Sequence, residues 1–573
     1  MIKVLSPIMK PLMLCTLLIV LAMVQKVQAA DQPAARSVLN VFTYRADGSL
    51  IGNTYGFFIQ DNGTAITSYR LFVGAARAEV IDAHGNKLAV HRILGASSTM
   101  DLVKFRVATD KPTAFLPLAK AAVREDAELL LVNYGTKKGE LPTGTRITDA
   151  ASFNGYAYYD ITAANAERNY GCPLVNSAGE AVAIVQKNVG NNAKTACALD
   201  AKAAESLNIT TTSALNSDLS RLEIPRAIPA DEKDALAYIY MLNSSTAEVQ
   251  RAALDDFIAA FPENAEGYVN RANYLGEQIG QHDAALADFA TALEKAEAPT
   301  STMNADEVHY ALSKLYFRWS TSPSGAEADS LFTLALREAQ AAYEIKANPL
   351  YLQQQSEILI MSNRLEEALD KLDAFNKSTL ATPESRYRQV QVLQAMNADS
   401  LVVLDAMNRV VDSMEKPYNH PQAHAYLLAR AMQFVRCGMY RESVFDFNEY
   451  EKVVGPQRLS HQFYYLREQS ERKSRMFQQA LDDIRSAESR ATGADYDFYR
   501  LEEVSILVQV QLYDEAITCG EELLQRQSGE GLLHRLLAVS YGEKGQKEKA
   551  REYLQRAIAL GETGLDTLVE KYK

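Results

Sequence analysis

The stretch Arg168-Asn169-Tyr170-Gly171-Cys172-Pro173-Leu174 gathers the residue types from which a nucleophilic site is built. Within it Cys172 carries a thiol that can become a nucleophile, but it needs a neighbouring base to take its proton. The histidines before residue 210 are His84, next to Gly85 in a turn, and His91, within an apolar run. Paired carboxylates, metal-spaced His or Cys clusters and phosphate-cradling glycine loops are not found. His420 and His424 stand four apart, but Pro421 between them disfavours a shared helical face, so they read as two surface histidines rather than ligands.

These residues must be positioned by strands. From about residue 37 to 208 the chain consists of short apolar or alternating runs punctuated by Gly, Asn and Asp, the pattern of an antiparallel β domain. Strands are expected over 38–44, 55–60, 64–67, 78–82, 87–94, 102–107, 127–132, 155–161, 181–186 and 196–199. Asp47-Gly48, Asn62-Gly63 and His84-Gly85 sit where hairpin turns need positive φ. So many short strands predict a barrel or sandwich. Residues 211–231, rich in Thr and Ser and carrying Pro225 and Pro229, predict a linker.

Beyond the linker the periodicity is helical to the C-terminus. A frame of small, bulky and small or apolar residues recurs as Ala285, Phe289, Ala292; Ala368, Leu372, Phe375; Ser443, Phe447, Tyr450; Ala480, Ile484, Ala487; and Ala550, Leu554, Ala557. Ala516 continues the series, with Gly520 at the bulky position. The frames starting at 443, 480, 516 and 550 are 37, 36 and 34 residues apart, and the 75 residues from 368 to 443 leave room for two repeats. A small residue lets the second helix of a hairpin approach the first, and the bulky one fills the space against the next hairpin. Residues 319–329 hold an insertion longer than this frame easily accommodates.

Two resemblances follow from these blocks. Gly52-Asn53-Thr54-Tyr55-Gly56-Phe57-Phe58-Ile59 with 61–67, Met100–Arg106, Gly171–Glu180 and 198–207 resemble, in order, four blocks of a trypsin-like serine peptidase of the HtrA-like branch. That resemblance places the catalytic histidine at Arg70, the aspartate at Asp101, the serine at Tyr170 and an oxyanion-loop glycine at Arg168. Such peptidases need a base, an oriented imidazole and backbone N–H groups around the nucleophile. Of these only Asp101 is retained, and Cys172 has no histidine in the block that should supply its base. The expectation is therefore a pseudo-peptidase, not an enzyme, whose groove could still add a peptide strand; the alternative is an active peptidase with unconventional catalytic residues. The repeats resemble tetratricopeptide repeats, about seven or eight of them between Asp231 and Lys573. That resemblance implies a concave surface that binds protein or peptide partners and places Asn270, Tyr274, Glu277 and Arg535 on it.

Composition agrees with a multidomain, core-forming chain: 573 residues, 47% hydrophobic and 23% charged. A net charge of -13 argues against general nucleic-acid binding. Lys3 and Lys10 precede the apolar run 12–24 and the small-residue pattern Val27-Gln28-Ala29, which reads as a signal peptide over 1–29. No later stretch is long and apolar enough to span a bilayer, so the expectation is export, to the periplasm of a Gram-negative bacterium or beyond it. Four cysteines follow residue 29, and their sparseness leaves open whether Cys172 and Cys197 are bridged; Cys437 and Cys519 read as small buried hydrophobes. The expected organisation is a signal peptide over 1–29, a trypsin-like antiparallel β-barrel domain over 31–210, a linker over 211–231 and an all-α tetratricopeptide solenoid over 232–573. No cofactor or metal is expected.

Overall fold

A computed structural model describes residues 34–134, 142–189, 194–242, 246–321, 326–527 and 529–572. The segment read as a signal peptide lies outside them. The chain divides into two compact units, Met1–Val308 and His309–Lys573.

The β region forms two closed six-stranded antiparallel barrels. The first contains β1 (Val38–Tyr44), β2 (Leu50–Phe58), β3 (Thr64–Thr67), β4 (Arg77–Ile81), β5 (Lys87–Ser97) and β6 (Leu102–Val107), in the order β1-β2-β3-β6-β5-β4. The second contains β7 (Glu128–Leu131), β8 (Thr143–Phe153), β9 (Tyr156–Ala164), β10 (Pro173–Val175), β11 (Ala181–Gln186) and β12 (Thr195–Asp200), in the order β10-β11-β12-β9-β8-β7. Each of the ten expected strands is present, β1, β3, β6 and β11 with the expected bounds and the other six with shifted ends. β8 and β10 are additional to the expectation.

Alternation along β6 shows how sequence becomes packing. Val103, Phe105 and Val107 enter the first barrel's core with Leu39, Val41 and Phe58, whereas Lys104, on the opposite face, lies outside that core. The second barrel packs Ile147, Tyr159, Ile161 and Cys172 against Val182 and Val185. A third cluster contains Val38, Phe57, Ile66 and Leu102 from the first barrel and Val132, Val175, Ile184 and Leu199 from the second, so the two barrels share an apolar seam.

The segment expected as a linker is instead a packed strap. Leu219, Leu222 and Ile224 are buried in the first barrel's cluster, together with Tyr238, Leu242, Val249 and Ala253 from the helices that follow. Ile93 N–H donates to Pro225 O at 2.9 Å, and Ala227 N–H donates to Ile93 O at 2.8 Å, so the strap runs beside β5. Its apolar residues at 219, 222 and 224 outweigh the flexibility implied by its Thr, Ser and Pro content. Arg92 on β5 also gives Nε and Nη2 to Asp256 at 2.5 and 2.7 Å, fastening helix Ala247–Ala260 to the barrel.

Downstream the structure is all α. Helices Glu232–Met241 and Ala247–Ala260 precede eight helix hairpins among the described residues, from Ala265–Tyr274 with His282–Ala296 to Gly531–Glu543 with Lys547–Ala559. The second unit begins within helix Ala305–Ser320. The recurring frame is buried: Ala285, Ala368, Ser443, Ala480, Ala516 and Ala550 all lie inside, as do the bulky Phe289, Leu372, Phe447, Ile484 and Leu554. Gly520 departs from the frame because Leu537 fills the site; a Cβ there would stand 2.7 Å from Leu537 Cδ2. Two further frames are visible, Ala335-Ala339-Ala342 and Val403-Met407-Val410, and both are buried.

Several hairpins are fastened by a buried ion pair. Three residues after the small residue stands an acid, and the preceding helix supplies a forked arginine. Arg271 holds Asp288 at 2.8 and 2.8 Å, Arg430 holds Asp446 at 2.7 and 2.8 Å, and Arg467 holds Asp483 at 2.6 and 2.8 Å. Each arginine also reaches back to the helix before its own, to Asp255 at 3.0 Å, Asp412 at 3.5 Å and Glu451 at 2.7 Å. The planar fork matches a carboxylate with two parallel bonds, so one residue ties three helices.

Candidate functional site

Arg70, Asp101 and Tyr170, far apart in sequence, line one cavity of about 140 Å³ together with Thr54, Ser68 and Gln186. Arg70 lies in a 3₁₀ turn, Tyr69–Phe72, that follows β3. Asp101 occupies the turn from β5 to β6 at φ 45°, a left-handed conformation that a short polar side chain tolerates better than most. Tyr170 follows the 3₁₀ turn Glu167–Asn169. β11 forms the floor, and Gln186 Nε2 donates to Met100 O at 2.7 Å, holding the Asp101 turn against the second barrel.

The Asp101 carboxylate accepts the Ser68 hydroxyl at 3.0 Å and the Arg70 N–H at 3.0 Å. The Arg70 guanidinium stands 3.7 Å away with two thirds of its side chain exposed. Burial raises the Asp101 pKa above the ordinary carboxylate value, against the opposing pull of these donors and the Arg70 charge. The carboxylate thus faces a hydroxyl, an amide and a cation, where a triad would place an imidazole.

Tyr170 is equally committed. Its hydroxyl donates to Asn165 Oδ1 at 2.7 Å, and its pKa is raised, chiefly by burial. Its own N–H, the donor nearest the nucleophile position, is bonded to Glu167 O at 3.3 Å. Its carbonyl accepts Tyr55 N–H and the Thr54 hydroxyl, each at 3.3 Å. Gly171 N–H donates to Val185 O at 2.8 Å and Cys172 N–H to Asn169 O at 3.2 Å. Amides that would hold a developing oxyanion are therefore engaged within the fold.

Cys172 is fully buried in the second barrel, its thiol directed to Arg168 O at 3.6 Å, and burial raises its pKa far above the usual thiol range. A nucleophilic cysteine needs the opposite shift. Cys197 meets the Tyr158 hydroxyl at 2.7 Å. Both are free thiols, so the bridge left open by the sequence is not formed in this structure.

Among the positions placed on a concave helical face, three come together. Asn270, Tyr274 and Glu277 line a cavity of about 200 Å³ with Tyr240, Gln250 and Leu254. The Tyr240 hydroxyl donates to Glu266 at 2.5 Å and accepts from Asn270 Nδ2 at 3.3 Å. Helix Ala265–Tyr274 continues there as a wider π turn, Leu275–Ile279, a local irregularity that often accompanies function. Arg535 belongs to the other unit and pairs with Glu562 at 3.2 Å.

Not expected from the sequence are Ser68 and Thr54, which line the barrel cavity, Asn165, which accepts the Tyr170 hydroxyl, and Tyr240, which lines the helical cavity. Ser68 was visible as the hydroxyl two residues before Arg70; Asn165 and Tyr240 had no local pattern to mark them. His420 Nε2 stands 3.1 Å from Glu384 rather than sharing a site with His424, and no group of three or more metal-competent side chains occurs among the described residues. No helix among them is long and apolar enough to cross a membrane. No family model matches the chain, and no curated protein matches it.

Proposed function

We propose that the protein is an exported, non-catalytic scaffold that binds protein or peptide partners through its helical hairpins. In this reading the double barrel is a degenerate trypsin-like, HtrA-like peptidase domain and the hairpins are tetratricopeptide repeats. The observation that carries it is the state of the barrel cavity: Arg70 faces Asp101 where a base is required, and both the hydroxyl and the amide of Tyr170 are bonded internally. Catalysis by this constellation would need a proton acceptor and a free oxyanion donor together. The cavity around Tyr240, Asn270 and Tyr274 supports a binding role for the helical part, because it presents aromatic and amide groups in a concavity. The charged and apolar N-terminal pattern supports export, with the envelope of a Gram-negative bacterium as the compartment.

The test joins an activity probe to a capture experiment. Fluorophosphonate and thiol-reactive probes should leave the native protein unlabelled at Tyr170 and Cys172, and casein should remain intact. Immobilised full-length protein should retain a defined partner from envelope extract, and Tyr240→Ala with Asn270→Ala should weaken that retention. Proteolysis lost on Cys172→Ala would refute the non-catalytic reading.

A further inference from the structure

We propose that a cleft on the outer face of the first barrel binds an amphipathic monocarboxylate, of the size and chemistry of a medium-chain fatty acid. The cleft lies within the first unit and measures about 690 Å³, inside the range of roughly 300–1,000 Å³ occupied by small-molecule sites. One wall is the outward face of β6, one is the segment around Phe115 and Pro117, and a third is formed by residues 204–209 and 227–230. Its construction is specific. The backbone of Leu207 lies against Gly95, where a Cβ would meet it at 2.5 Å, and this close approach sets the 204–209 wall on the barrel.

The charge arrangement points to an anion. Lys104 is 92% buried, since only 8% of its surface remains accessible, and it lines the cleft. Its ammonium donates to Asn208 Oδ1 at 2.9 Å, a neutral partner. Arg106, two residues on and therefore on the same face of β6, is exposed in the same cleft. Among the described residues neither cation has a carboxylate within ion-pair distance. Glu205, on the opposing wall, is exposed and acts on Lys104 only at longer range. A buried ammonium without a counter-charge is costly in a low-dielectric setting. The buried Lys104 and the exposed Arg106 beside it, with Glu205 as the one facing acid among the described residues, leave a local excess of positive charge that an anion would neutralise.

The rest of the lining argues for an apolar tail. Ile59, Leu94, Leu118, Ile209 and Ile228 face the same space, and Phe115 is an exposed aromatic at its rim. A carboxylate at Lys104 and Arg106 with a hydrocarbon chain along these residues satisfies both halves of the cleft. An inorganic anion would leave the apolar wall wet, and a neutral lipid would leave the cations unmatched. Burial lowers the Lys104 pKa to about 8, with Glu205 opposing and Arg106 reinforcing that shift. A bound carboxylate favours the charged lysine, so affinity should fall as pH rises through that value.

Calorimetric titration of the full-length protein with decanoate tests this, with decanol and acetate as probes lacking one half of the chemistry. Saturable one-site binding of decanoate is expected, at least tenfold tighter than of decanol or acetate. Lys104→Met, which keeps the stem and removes the charge, should weaken it at least tenfold, and Arg106→Gln, at an exposed position that does not threaten folding, by severalfold. Binding should also be weaker at pH 9 than at pH 7. Absence of saturable decanoate binding, equal binding of decanol, or decanoate binding unchanged by Arg106→Gln in the folded variant would each overturn the proposal.

Discussion

Replacing Arg467 by methionine should destabilise the second unit by several kcal/mol. Its guanidinium gives two nitrogens to Asp483 and the third to Glu451 and Asn448 at 2.7 and 2.8 Å. Asp483, Glu468 and Glu471 are all buried around it, so methionine would strand the carboxylates while keeping the volume filled. Removing one partner of a buried pair costs about 3–5 kcal/mol. With a urea slope of about 1–3 kcal/mol per molar, that is a midpoint lowered by on the order of 1–5 M. Arg467→Met combined with Asp483→Leu should recover much of the loss, because an apolar pair no longer strands a charge.

The same cluster fixes a pH dependence. Burial pushes Glu468 up to about 7, and Arg472 at 3.5 Å does not offset it. Glu471 is raised by burial and by the neighbouring Asp483 charge, despite a long 3.8 Å contact with Arg467. An acid raised in the folded state contributes stability that is complete below its unfolded value, about 4.3, and lost as pH rises through the folded value. For Glu468 the shift from 4.5 to about 7 corresponds to on the order of 3 kcal/mol, lost as pH rises from about 4.5 to 7. Urea unfolding of the full-length protein, followed by far-ultraviolet circular dichroism at pH 5, 6, 7 and 8, reads both effects. A flat pH profile, or an Arg467→Met midpoint equal to wild type, would refute this account of the clamp.

Gly171→Ala should unfold or displace the loop between β9 and β10, because its Cβ would lie 1.8 Å from Tyr55 O at φ 79°, whereas Gly179→Ala, at φ 80° in open space, carries only the backbone strain; thermal melts of the two variants should differ by several degrees. Native thiol titration with Ellman's reagent should modify Cys437, which is partly exposed, well before Cys172, which is buried and should react only on unfolding. Arg92→Ala removes a two-pronged bond to Asp256 and should cost more stability than Arg146→Ala, whose pair with Glu128 is exposed; paired urea titrations read the difference.

Legibility followed burial. β6 and β11 are apolar and were read from the sequence, but β8 buries only Thr145 and Ile147 and otherwise faces solvent. A strand of that composition is held by cross-strand pairing with β9, which local pattern does not reveal. β10 has three residues, too short for a period to show. At 211–231 the Thr, Ser and Pro content suggests a linker, but burial of Leu219, Leu222 and Ile224 holds the segment on the barrel as a strap. The repeat frame was readable from its small and bulky residues, and the acid three places after the small one was equally regular at Asp288, Asp446 and Asp483. Its meaning depended on arginines 16 or 17 residues earlier, in another helix.

The loop at Tyr170 takes its packing from residues that no local pattern links to it. The groups that a triad would demand can be sought residue by residue in a sequence. What the loop does instead depends on partners more than a hundred positions away: Tyr170 O receives Tyr55 N–H and the Thr54 hydroxyl, and Gly171 lies against the Tyr55 carbonyl. Gly171 is therefore required by the close approach of the two barrels, independently of any oxyanion. The seam between the barrels, where Phe57 and Ile66 meet Val175 and Ile184, needs the loop in the same place whether or not it carries a nucleophile. A barrel pair built in this way keeps its cleft whichever side chains line it, because the backbone that shapes the cleft also closes the core.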